Sequence, residues 1–209
     1  QPFINYHSFS ERLRGIQKSL GGQKSDYELL LYTVSSFEHY ETQLETIVKT
    51  RAVDGLIIID LELSQAQQDL FRDAALPVVG VNHLQLQSWP CIGTNNLEGG
   101  FIATQYLLGL GHKKIAYVGD EFIADYTQNT SQQRYLGFEK ALKEAGLELS
   151  ESYVRLGKFD YEIAKTNTVR LLKLKTPPTA IFAMSDIQAL ACIAAAKALG
   201  LSVPSDLSV

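Results

Sequence analysis

Hydrophobic residues in this chain fall into short blocks, and between the blocks they recur three and four positions apart. Residues 55–60, 77–81, 114–119 and 179–184 are near-continuous apolar runs, and residues 27–33 read the same way. Such runs are the mark of parallel strands covered on both faces. Residues 153–156 make a sixth, less apolar candidate.

Amphipathic stretches occupy the gaps. Phe9, Leu13, Ile16 and Leu20 share one face of a helix; Ser8 with Glu11 offers a capping box at its start, and Gly21-Gly22 a stop at its end. Ser35 and Glu38 repeat the start signal before Tyr40, Leu44, Ile47 and Val48. Tyr135, Phe138, Leu142 and Ala145 mark another helix, closed by Gly146, and stretches near 64–75, 96–110, 160–174 and 186–199 complete the series.

Strand and helix alternating in this way predict an α/β fold with parallel, doubly wound sheets and right-handed crossovers. Residues 82–96, which include Trp89-Pro90, interrupt the rhythm. They predict an irregular passage between an N-terminal lobe, 1–94, and a C-terminal lobe, 95–209. Residues 1–4 resemble the tail of a strand and residues 207–209 the start of one. The expectation is a truncated first strand, a truncated return segment, and a chain that is part of a longer protein.

Composition narrows the class of function. The chain has 209 residues, 45% hydrophobic and 20% charged, with 19 basic against 23 acidic residues for a net charge of −4. Phosphate affinity comes from Lys and Arg, so this surface is poorly suited to nucleic acid on its own. Cys91 and Cys192 stand about a hundred positions apart without CxxC spacing, which favours a reducing compartment over a disulfide scaffold. The longest nearly apolar stretch, 187–199, is interrupted by Gln188 and Lys197 and falls short of the roughly 20 residues of a membrane helix.

Enzymatic motifs are missing. No GxxxxGK[ST], GxSxG or HExxH pattern occurs, and Gly109-Leu110-Gly111-His112 precedes a strand instead of following one. The four histidines have no partner at metal-ligand spacing. Asp60, Asp120 and Asp186 sit at strand ends, where acid–base residues stand in many enzymes, but any α/β fold places polar residues there. The expectation is no enzyme, no cofactor and no metal.

Five motifs in register carry more information. They are residues 51–58, opening Arg-Ala-Val-Asp-Gly; 95–116, from Asn95-Asn96-Leu97-Glu98-Gly99-Gly100 to Gly111-His112-Lys113-Lys114-Ile115; Arg134-Tyr135-Leu136-Gly137-Phe138; 177–183; and 200–209, with Val203-Pro204-Ser205-Asp206. Their order and spacing resemble the effector-binding core of the lac repressor (LacI/GalR) family of bacterial transcription regulators, over essentially the whole chain. The resemblance implies a periplasmic-binding-protein-like core of two Rossmann-like lobes, with a small effector, a sugar or sugar derivative, held between them. It also implies a cytoplasmic homodimer without membrane contact. Operator DNA would be read by a helix-turn-helix headpiece lying outside this chain and coupled allosterically to the effector. An extracytoplasmic sugar-binding receptor of a transporter, built on the same fold, is the alternative.

Site residues follow from the same resemblance. Arg134 matches the effector-contacting arginine, whose planar fork suits hydroxyls or a carboxylate. Phe159 matches an aromatic stacked on the ligand, or is a core contact. Asp186 matches the acidic residue of an Asn-Asp pair, or is a helix N-cap; Ser185 stands where the family has asparagine. Asn95 stands where the family has aspartate. Tyr6, Ser8 and Phe9 fall at the mouth of the first strand and helix, although Phe9 also opens the apolar stripe. Gln128 and Thr130 precede Arg134 and complete the candidates.

Overall fold

The computed structural model describes residues 7–21, 27–34, 36–82, 86, 88–122 and 129–209. They divide into two compact units, one of residues 1–56 with 63–77, the other of residues 57–62 with 78–209.

The first unit is helical. α1 spans His7–Leu20 and α2 Phe37–Thr50, the latter capped by Ser36, whose side chain accepts from the His39 amide. α3 runs Gln65–Asp73 behind a Ser64–Gln67 capping box. Tyr40, Leu44 and Ile47 fall on one face of α2 and are buried, as is Phe71 of α3, which packs beside it.

The second unit holds two parallel sheets. β1 (Leu56–Ile59), β2 (Val78–Val81) and β3 (Cys91–Ile92) form the first, in the order β1-β2-β3. β4 (Ile115–Asp120), β5 (Val154–Gly157) and β6 (Ala180–Ala183) form the second, with β4 central. Helices α4 (Asn96–Gly109), α5 (Thr130–Glu144), α6 (Tyr161–Leu172) and α7 (Asp186–Ala198) alternate with these strands.

Period-two alternation along β4 builds two cores at once. Ala116 and Val118 join Ala164 and Leu171 of α6 and Ala191, Cys192 and Ala196 of α7. Ile115 and Tyr117 point the other way, to Phe138 and Leu142 of α5. Tyr117 stacks on Phe182 at 5.5 Å between ring centroids and meets Tyr135 edge-on at 5.2 Å. The small residues of α7 let it lie close to the sheet.

α4 and α5 approach each other through glycine. A Cβ on Gly137 would collide with the Leu97 carbonyl and sit 2.7 Å from the Phe101 amide; one on Gly100 would collide with the Arg134 carbonyl. The glycines of the 95–116 and 134–138 motifs are therefore the two sides of one helix contact.

Several expectations are corrected. Residues 27–34 form no strand; Tyr27, Leu30 and Leu31 are exposed, and no described segment supplies the ladder a parallel strand requires. Ser8 lies inside α1, which already includes His7, so it is no N-cap. The cap of α2 is Ser36, not Ser35, which lies outside the described residues. Residues 82–96 are not wholly irregular, because Cys91–Ile92 pairs with β2. Ser208 meets Ala180 in an isolated parallel bridge. Residues 1–4 lie outside the described residues.

Candidate functional site

In a parallel sheet every strand delivers its carboxyl end to the same rim, where loops turn into helix N-termini and backbone amides collect. Several hydrogen-bonded polar residues of the second unit stand there. Asp60 follows β1 and Asn82 follows β2, both with positive φ (58° and 63°), a conformation that short polar side chains tolerate. The Asn82 amide donates to the Asp60 carboxylate and, at 3.3 Å, to the Thr130 hydroxyl at the start of α5. One side chain thus ties the rim of the first sheet to the helix that follows the central strand of the second.

The next residue continues the chain of bonds. Ser131 donates to the Asp120 carbonyl at 2.9 Å, and the buried Tyr117 hydroxyl donates to the Ser131 carbonyl at 3.2 Å. The Asp120 carboxylate closes the central strand and accepts from Gln188 Nε2 at 2.7 Å. Gln188 is buried and held by Ser185, whose hydroxyl donates to its side-chain carbonyl at 2.9 Å and accepts from its backbone amide at 3.4 Å. Burial pushes the Asp120 carboxyl up to about 6, against the opposing pull of the Gln188 hydrogen bond.

Arg134 lies in the second turn of α5, which begins at Thr130. It is half-buried. Its Nε donates to the Asn96 side chain at 3.0 Å and its Nη1 to the Met184 carbonyl at 2.6 Å. Burial holds its pKa below the ordinary arginine value, while the nearby Tyr117 hydroxyl and Asp186 carboxylate oppose that shift. Guanidinium carries five N–H donors, so the outer nitrogen, Nη2, remains for another acceptor among the described residues.

The other candidates divide. Ser185 is the N-cap of α7 and Asp186 its exposed first residue, so Asp186 is not the cap. Asn95 caps α4, its side chain accepting from the Glu98 amide at 3.1 Å. Phe159 is half-buried in the turn between β5 and the α6 cap Asp160. Ser8 and Phe9 belong to α1 in the first unit, Ser8 exposed and Phe9 half-buried. Tyr6 and Gln128 lie outside the described residues. The structure brings together Thr130, Arg134, Ser185 and Asp186, and adds Asp60, Asn82, Asp120 and Gln188. Among the described residues no group of His, Cys, Asp and Glu could hold a metal ion, and no helix is long and apolar enough to cross a membrane.

Parallel sheets with a polar carboxyl rim are shared by many α/β proteins, and comparison with known proteins narrows the class. The model of the periplasmic binding protein-like domain matches residues 104–209. The HTH-type transcriptional repressor PurR of Pasteurella multocida is 32% identical over 96% of this chain and 59% of its own length. A putative LacI transcriptional regulator from Bacillus cereus subsp. cytotoxis superposes with a TM-score of 0.76 at 26% identity, over 96% of this chain and 70% of that one. A CelR–cellobiose complex superposes with a TM-score of 0.72 at 25% identity, over 96% and 60%. This chain belongs to the periplasmic-binding-protein-like family, in the form that serves LacI/GalR regulators as their effector-binding core. It spans about three fifths of the length of the curated repressors it matches.

Proposed function

We propose that this chain is the ligand-sensing core of a LacI/GalR-type transcription regulator and catalyses no reaction. A small polar effector binds at the carboxyl rim, bridging lobes formed by residues 1–94 and 95–209, and acts on DNA through a helix-turn-helix headpiece outside these residues. Arg134, Thr130, Ser185, Asp186, Asn95 and Phe159 contact it, with Tyr6, Ser8, Phe9 and Gln128 at its margins. The working form is a cytoplasmic homodimer. The observation that carries the reading is the half-buried Arg134, fixed by Asn96 and Met184 with its outer nitrogen bonded to no described residue. Effector control follows when the molecule prefers one lobe arrangement to the other; tight binding alone shifts nothing.

Sugar-like effectors are the first reading, supported by the cellobiose in the CelR complex. A purine-type effector is the second, favoured by the PurR repressors at 32–35% identity. The test is operator binding by the full-length protein with and without members of both classes. A change in operator affinity caused by one class selects it. No change with either removes the effector assignment. A secreted full-length protein that binds sugar but no operator would be a transport receptor instead.

A further inference from the structure

We propose that Asp120 is a specificity-determining residue of this site, selecting a neutral or cationic ligand that presents an amino-group donor and rejecting anionic ones. The inference rests on the effector reading above and names the chemistry of the molecule.

Three observations carry it. Asp120 ends the central strand of its sheet, and its carboxylate does not swing freely: Gln188 fixes one oxygen at 2.7 Å, and Gln188 is itself buried and locked by Ser185. The other oxygen has no hydrogen bond among the described residues. An ionised carboxylate only accepts, so the group that meets this oxygen has to donate.

Charge at the rim points the same way. The residues that end or follow the strands of the second sheet and open α7 include Asp120, Glu121, Asp160 and Asp186, against Lys158 and Arg134 as described cations. A phosphate or carboxylate would meet that excess. The N-termini of α5, α6 and α7, which otherwise attract anions, are already capped by Asn129, Asp160 and Ser185.

Burial without a cation beside it is the third. No Lys or Arg forms an ion pair with Asp120 among the described residues, and the upward shift of its carboxyl comes from desolvation. A bound amine would supply the missing donor, and a cationic one would also suit the acidic rim.

Calorimetry on the full-length protein tests this with matched probes: glucosamine against glucose and glucose 6-phosphate, and adenine against unsubstituted purine and adenosine monophosphate. In the series that binds, the amino-bearing member should bind about tenfold more tightly than its partner, the size of one charge-assisted hydrogen bond. Asp120→Asn should close that gap. Asp120→Ser, which removes the carboxylate in a smaller side chain, should do the same and guards against a misfolded first variant. A preference unchanged in both variants, or tightest binding by the phosphate, overturns the role of Asp120 and leaves the regulator reading intact. Should no probe bind, the donor rule falls; the regulator reading falls only if operator binding also ignores every metabolite tried.

Discussion

The side-chain amide of Asn82 donates to the Thr130 hydroxyl at 3.3 Å across 48 positions of sequence. The same amide donates to the buried Asp60 carboxylate. Asn82→Ala removes both bonds and asks alanine to hold a positive φ. Asn82→Gly removes the bonds alone. Urea titration should show Asn82→Gly destabilised by about 1–2 kcal/mol, the usual loss of a donor to a charged acceptor, with Asn82→Ala lower still. Equal stability of glycine variant and parent would show that the bonds contribute nothing.

Helix packing gives a pair of opposite outcomes. Gly137→Ala drives a methyl into the Leu97 carbonyl, and the helices have to part; a loss of roughly 1–3 kcal/mol is expected from overpacking. Gly99→Ala meets nothing within 4 Å on the same pair of helices, and should gain about 0.5–1 kcal/mol from helix propensity. Thermal unfolding of the two variants should therefore move in opposite directions.

Asp120 confers a pH dependence of definite sign. Its folded value, about 6, lies above the ordinary aspartate value of 3.8, so the protonated form is favoured in the folded chain. The stabilisation is full below the ordinary value and is lost as pH rises through about 6. Asp120→Asn should flatten that slope. At pH 7 the variant should be more stable by on the order of 1 kcal/mol, a figure discounted for the solvent screening of a partly exposed group. A slope that persists in the variant assigns it to another carboxyl.

Arg134 is tested by two substitutions. Arg134→Lys keeps the charge but not the fork that reaches Asn96 and Met184 together; Arg134→Ala removes both. Titration of an effector that binds the parent should show a loss of about 10- to 100-fold for each, with alanine the larger. Unchanged affinity in both variants would take Arg134 out of the site.

Much of this architecture was legible in the chain because parallel strands buried on both faces have to be apolar throughout. Five of the six predicted runs are strands. Residues 27–33 fail for a physical reason: an apolar run becomes a strand only beside a ladder partner, and composition does not reveal the partner. Cys91–Ile92 escaped notice because two residues carry no periodicity. Arg134, Ser185 and Thr130 are named by motif and position, and the structure places all three at the carboxyl end of the second sheet. Gln188 read as an interruption of an Ala-rich helix, and its contact with Asp120 spans 68 positions that only the crossing of α7 over β4 brings together. Asp60 and Asp120 were visible as strand-end carboxylates, but what each accepts is a three-dimensional fact.

At the other end of the second sheet, the two ring nitrogens of His112 meet the hydroxyls of Thr179 and Ser208 at 2.9 and 3.0 Å, and Thr179 bonds back to the Lys114 carbonyl. Three separate stretches of chain are stitched there, where the strands begin. The side chains proposed to meet the effector stand where they finish. Exchanging rim residues such as Asn82, Asp120 or Ser185 would therefore leave the knot around His112 tied, so that ligand preference and the anchoring of the strands are separable properties of one sheet.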